Sequence, residues 1–232
     1  LKADNRNKET YFLLQLQLAN AYTLRGDISL AIDRARLMYE EAKETGYDFG
    51  MVVANQAIGD AYTIASQYDK ASEAYQNALK ELSLISPQHP YRTQLLLKAS
   101  NTLQRKGRLE KARRVLNDID KALLQQPDYA TGFFAAIEKA NYAISHGHLS
   151  KTYLKKAAKY LQDMDSIYRL YPEKFYYFHL KYTAAAYYRA MGNWDKAYWD
   201  KALKLYEELR QEYSVNKRSA YYRWITQETI YL

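Results

Sequence analysis

Cysteine is absent from the 232 residues, so no disulfide, thiolate metal site or cysteine nucleophile is available, and either side of a membrane would suit the chain. Glycine (8) and proline (4) are scarce, which argues against a turn-rich fold and against disorder. No uncharged stretch approaches the roughly 18 to 20 residues that cross a bilayer, and no basic, apolar leader opens the chain. No membrane contact by this chain itself is expected. Missing too are a glycine-rich phosphate loop, a nucleophile elbow and a helix-borne His-Glu pair. His146 and His148 flank Gly147 with no third ligand in sight, so they read as polar turn residues, and neither a metal nor another cofactor is expected. Carboxylate pairs such as Glu40 with Glu41 and Glu207 with Glu208 belong on exposed helix faces. The chain reads as non-catalytic.

What is present is a helical composition, 48% hydrophobic and 26% charged, with a net charge of +8 that favours acidic partners without resembling a nucleic-acid tail. It carries an internal repeat. Arg25, Gly26, Asp27, Ile28 and Ala31 recur as Ala65, Ser66, Gln67, Tyr68 and Ala71, then as Lys106, Gly107, Arg108, Leu109 and Ala112. Two further copies run His146, Gly147, His148, Leu149, Thr152 and Met191, Gly192, Asn193, Trp194, Ala197. The central position steps through 26, 66, 107, 147 and 192, at spacings of 40, 41, 40 and 45.

An apolar run of helical period precedes each copy and a second follows it, so the unit is helix, tight turn, helix, with glycine supplying the positive φ where the first helix ends. Pro87, Pro90, Pro127 and Pro172 all fall between units, where a helix interior would not tolerate them. The predicted units span 10–46, 51–86, 91–126, 129–171 and 174–213, within a single domain of 1–232. A terminal helix is expected over 217–232, as a cap or as half of a sixth unit. Leu1 in place of Met, and a last segment without a stop signal, suggest a piece of a longer protein.

Gly59, Tyr62, Tyr68, Ala71, Tyr75 and Ala78 stand where the tetratricopeptide repeat (TPR) motif has small, aromatic, aromatic, small, aromatic and small residues, and Ala19, Tyr22, Ile28 and Ala31 repeat the first half of it. On these residues the chain resembles the TPR family. The resemblance implies an all-α, right-handed α-α superhelix of about five hairpins with a C-terminal extra helix. A spacing near 40 exceeds the common 34 and also fits HEAT-like pairs, but the short gap around one glycine favours the TPR pattern. The second helices of units four and five fit poorly, with Lys156 and Lys201 where an aromatic is due.

The resemblance also implies a concave groove, lined by first helices, that holds a protein or peptide. One position read across the units gives Asn20, Asp60, Asn101 and Asn141, a polar column suited to gripping a peptide backbone. Gln94, Lys98 and Arg105 add candidates for an anionic group, although Leu16 and Ala57 occupy places where some family members clamp a terminal carboxylate. A possible aromatic interface comprises Tyr176, Tyr177, Tyr187, Tyr221, Tyr222, Trp199 and Trp224, in a half of the chain rich in tyrosine. Two basic clusters, Arg105 to Arg114 and Lys151 to Lys159, read as solvated outer faces because they lack neighbouring aromatics, so nucleic acid is not an expected partner. The elongated, unequal repeats resemble the sensory TPR regions of bacterial signalling proteins such as two-component histidine kinases or transcription regulators. That likeness implies an extracytoplasmic or cytoplasmic position in a larger chain, which can be membrane-anchored. A free-standing scaffold or co-chaperone-like adaptor is the alternative.

Overall fold

The computed structural model describes residues 2–125, 127–214, 222, 225 and 226, with side chains from residue 7 onward. Among the described residues there are ten helices and no strand: α1 (Lys2–Arg25), α2 (Ile28–Glu44), α3 (Asp48–Ile64), α4 (Tyr68–Ile85), α5 (Tyr91–Arg105), α6 (Leu109–Gln125), α7 (Tyr129–Ser145), α8 (Lys151–Leu170), α9 (Lys174–Gly192) and α10 (Ala197–Glu212). None is long and apolar enough to cross a membrane. The chain divides into two compact units, Leu1–Ala122 and Leu123–Leu232. Of the expected terminal helix, only Tyr222, Ile225 and Thr226 lie among the described residues, and all three are helical.

In the first unit α3 is the central element, packed against α1, α2 and α4 and touching α5. Its composition explains why: Val52, Val53, Ala54, Ala57 and Ala61 are fully buried, an apolar surface too wide for a helix with one wet side. Two glycines let neighbours close in. A Cβ on Gly59 would meet the Tyr75 ring at 2.6 Å, and one on Gly50 would meet Ala42 at 2.7 Å. Three successive second helices bury the same triplet four and three residues apart: Ala31, Ala35 and Met38; Ala71, Tyr75 and Ala78; Ala112, Leu116 and Ile119.

The three hairpin turns of this unit share one geometry. Gly26, Ser66 and Gly107 adopt φ of 96°, 58° and 74°. Each closes the paired hydrogen bonds of a left-handed helix stop, as in Asp27 N to Tyr22 O at 3.0 Å and Gly26 N to Thr23 O at 3.1 Å. Serine at the second turn holds the same conformation as the two glycines, at the expense of strain that a glycine avoids.

In the second unit α7 packs on α8 and α9, and α9 on α10. Here the turns depart from the sequence expectation. Gly147 and Gly192 stand outside the positive-φ region, and the second helices start later, at Lys151 and Ala197. Thr152 and Ala197, expected at the small core position, are exposed. The buried triplets are instead Ala157, Leu161 and Met164, and Ala202, Tyr206 and Leu209, with Leu161 only partly covered. The register is shifted by five residues: Ala19 to Ala31, Gly59 to Ala71 and Ser100 to Ala112 are each 12 apart, whereas Ala140 to Ala157 and Ala185 to Ala202 are each 17 apart.

The added residues have a defined job. In α8 they bring Leu154 onto Gly147, where a Cβ would lie 2.5 Å from its Cδ2; in α10 they bring Trp199 onto Gly192, where a Cβ would lie 2.7 Å from the indole. Glycine is therefore needed at 147 and 192 for close approach rather than for φ. Lys156 and Lys201, which looked like misplaced core residues, are exposed once the register is corrected.

Candidate functional site

The first helices α1, α3 and α5 are neighbours in the first unit, α3 touching both of the others. That arrangement puts Asn20, Asp60 and Asn101 at one register position on three adjacent helices, all half-buried. Asn141 holds the matching position on α7 of the second unit, also half-buried.

Asp60 is the best-connected member of the column. Lys98 Nζ donates to its two carboxylate oxygens at 2.8 and 3.0 Å, and Tyr75 Oη donates to Oδ1 at 2.6 Å. Gln56 Nε2 lies 3.4 Å from Oδ2, and Gln56 Oε1 accepts from Tyr91 Oη at 2.5 Å. The network joins α3, α4 and α5, with only 11% of the Asp60 side chain and 31% of Lys98 exposed. Burial, then the Asp60 charge, holds the Tyr75 phenol well above its ordinary value, and burial likewise raises Tyr91. Both rings therefore remain neutral donors. A carboxylate surrounded by three donors on different helices ties helices together, so the groove chemistry of this column falls to its neighbours.

Those neighbours are more open. Arg105 is exposed, its Nε donating to Asn101 Oδ1 at 2.9 Å, and Gln94 is exposed on the first turns of α5. Lys98, by contrast, turns to Asp60. Asn20, Gln94, Asn101 and Arg105 thus form the polar part of the first-helix face in this unit, with Leu18 and Leu24 of α1 exposed beside them in sequence.

A second carboxylate is held in the same manner on the other side of α3. Glu81 accepts from Tyr39 Oη at 2.9 Å and from Asn55 Nδ2 at 3.0 Å, joining α4, α2 and α3. The hydrogen bond to Glu81, then burial, raises the Tyr39 phenol. Leu84, Ile58, Arg36 and Lys80 line the open cleft of about 560 Å³ around it. Sequence reading missed this pair, because a tyrosine and an asparagine 16 residues apart give no signal until the hairpins are stacked.

The described members of the expected aromatic interface are all half-buried. Tyr176 packs on Phe133 with ring centroids 4.5 Å apart, Tyr177 lies against the Phe178 cluster, and Tyr187 packs on Tyr188 at 5.3 Å. Trp199 is half-buried and donates from Nε1 to Gly192 O at 3.0 Å. Tyr222 is half-buried, while Tyr221 and Trp224 lie outside the described residues. His179 sits among Phe134, Phe175 and Phe178, and burial lowers it to about 4, so it is neutral at physiological pH. His146 and His148 donate from Nδ1 to the carbonyls of Tyr142 and Ser145, at 2.8 and 2.9 Å, and His146 stacks on Tyr153.

The Lys151 to Lys159 cluster proves to have aromatic neighbours after all, as does Lys201 of α10. Lys151 Nζ lies 5.2 Å from the Trp194 ring, Lys156 Nζ 5.8 Å from Tyr153 and Lys201 Nζ 4.7 Å from Tyr198. The first joins α8 to the turn between α9 and α10, and the other two lie within one helical turn of α8 and of α10, which the linear charge pattern conceals.

No known protein family matches the sequence, and neither does any curated protein. Solved structures do. One, a Podosopora anserina protein named for kinesin light chain and carrying nearly identical TPR-like repeats, is 16% identical, with a TM-score of 0.62 over 90% of this chain and 97% of its own. That structure is of a single-substitution variant; another of the same protein is 15% identical, with a TM-score of 0.57 over 94% and 96%. The fold is that of TPR-like repeats. TPR-like repeats generally serve protein interaction, and at this identity the likeness concerns the fold.

Proposed function

We propose that the chain is a non-catalytic protein- or peptide-binding TPR array and that its first helices present the binding face. The observation that carries this reading is the alignment of α1, α3 and α5, which puts Asn20, Gln94, Asn101 and Arg105 on one face, Arg105 reaching Asn101, while Asp60 and Lys98 brace the helices beside them. Amide side chains in a row offer both a donor and an acceptor to an extended backbone, and Arg105 adds a fork for a carboxylate. In this reading residues 1–232 work as one array, and the elongated, unequal hairpins belong to the sensory or regulatory part of a bacterial signalling protein such as a two-component histidine kinase.

The binding face is tested by site-specific photo-crosslinking from positions 20 and 101 in cell extract, with Lys43 on α2 as the comparison site. Adducts specific to positions 20 and 101, lost when Gln94→Ala/Arg105→Ala is added, are the expected result. Equal adducts from all three sites would move binding away from the first helices. The signalling context is tested by the gene: an effector module encoded in the same reading frame is expected, and an isolated reading frame of this array would favour the scaffold alternative.

A further inference from the structure

The second helices of the second unit repeat more than a core triplet. Lys151, Tyr153, Leu154, Lys156, Ala157 and Lys159 of α8 recur 45 residues later as Lys196, Tyr198, Trp199, Lys201, Ala202 and Lys204. The apolar members are accounted for by packing on Gly147 and Gly192 and by the buried triplets. All six lysines are exposed; Lys151, Lys156 and Lys201 lie beside rings, which leaves Lys159, Lys196 and Lys204 without a packing role.

On α8 the charge is concentrated further. Lys155 joins the set, and no acidic residue occurs between Lys151 and Gln162. Lys151, Lys155 and Lys159 lie four apart, so they form one ridge with steps of about 6 Å along the helix. Lysine in the first turn runs against the helix dipole, which favours acids there, and α8 has none. Among the described residues neither Lys155 nor Lys159 meets a carboxylate or a ring. Positive charge has been placed where it does not stabilise the helix and is not neutralised by the fold.

We propose that the exposed face of α8 along Lys151, Lys155 and Lys159 is a docking surface for an acidic, extended segment of a partner protein. Side chains on one edge of an extended chain recur every two residues, about 6.6 to 7 Å, close to the lysine step. Acidic residues at alternate positions can therefore meet Lys151, Lys155 and Lys159 in turn. Single-stranded nucleic acid has a similar charge spacing but needs open ring faces for stacking. The rings nearest the ridge, Trp194 and Tyr153, already carry the ammonium groups of Lys151 and Lys156. The surface is separate from the first-helix face and does not depend on it.

The test is a fluorescence-anisotropy titration of the 232-residue protein into a labelled peptide of alternating glutamate and serine, about ten residues long, with an oligothymidylate of equal charge run in parallel. Binding of the peptide at about 50 mM salt is expected, lost by about 300 mM as the exposed charges are screened. In Lys155→Glu/Lys159→Glu affinity should fall roughly tenfold or more, because two attractions become repulsions. Those two side chains touch no ring, so helical circular dichroism should be unchanged. Asn20→Ala/Asn101→Ala, which alters the first-helix face, should bind the peptide as the parent does. Absence of peptide binding, equal binding by the lysine variant, or tighter binding of the oligothymidylate would each overturn the proposal. Loss confined to the asparagine variant would overturn it in favour of the first-helix face.

Discussion

At the scale of single residues, two side chains carry predictions of opposite kind. His179 is lowered to about 4 by burial among phenylalanines, against an ordinary value near 6.5 in the unfolded chain. The unfolded chain therefore takes up a proton as pH falls through about 6.5, while the folded one does so only near 4. Stability that is complete above about 6.5 is lost progressively down to about 4, to a total of about 3 kcal/mol. Urea denaturation at a series of pH values should show this slope, and His179→Phe should flatten it; an unchanged slope would place the titration elsewhere. Ser100 is the opposite case. It occupies the small position filled by Ala19, Gly59, Ala140 and Ala185 elsewhere, is fully buried, and its Oγ has no hydrogen-bond partner. Thr102, two residues on, uses its hydroxyl on Lys98 O at 3.0 Å, so the local backbone does not force the orphan. Ser100→Ala should leave the packing intact and raise stability by about 1 kcal/mol, seen as a higher midpoint in thermal unfolding.

At the scale of elements, the turn explains both what the sequence disclosed and what it hid. Hairpins one to three are legible because glycine or serine at 26, 66 and 107 does one thing, the left-handed stop, and the core triplet follows at a fixed distance. Hairpins four and five keep the glycine but change its purpose. Aligning on Gly147 and Gly192 put Thr152 and Ala197 into the core, and only the triplets Ala157-Leu161-Met164 and Ala202-Tyr206-Leu209, read on their own spacing, could have corrected it. The candidate site was legible as a column of polar positions on first helices. That Asp60 and Lys98 neutralise each other could not be read, because they are 38 residues apart and meet only when α3 and α5 lie side by side. The difference between the two glycine roles is measurable. Gly26→Ala should cost about 1 kcal/mol through backbone strain alone, with nothing within 4 Å of the new methyl. Gly147→Ala collides with the buried Leu154 and should cost about 1 to 3 kcal/mol. Adding Leu154→Ala should then cost less than Leu154→Ala does in the parent, since the new methyl fills part of the space vacated. Strict additivity of the two would mean that Leu154 does not seat on this glycine.

At the scale of the whole molecule, stability in a stacked array is a sum of hairpins and the interfaces between neighbours, so damage should spread locally rather than uniformly. Gly59 is the position to test this. A methyl there meets the Tyr75 ring at 2.6 Å, and that ring cannot swing aside because it is fully buried and its hydroxyl is held by Asp60 at 2.6 Å. Gly59→Ala should therefore weaken the α3–α4 contact and, through Asp60, the link to Lys98 on α5. Native-state amide exchange should rise on the order of tenfold or more in α3, α4 and α5, while α9 and α10 change less than about twofold. Gly46→Ala, with φ of 63° and open space around it, supplies a strained loop control that costs about 1 kcal/mol without touching a helix contact. Were exchange to rise equally in all ten helices of the Gly59 variant, the chain would be unfolding as one cooperative body. Binding at the first helices of one unit would then be coupled to the lysine face of the other through global stability, and the two surfaces could no longer be treated as independent.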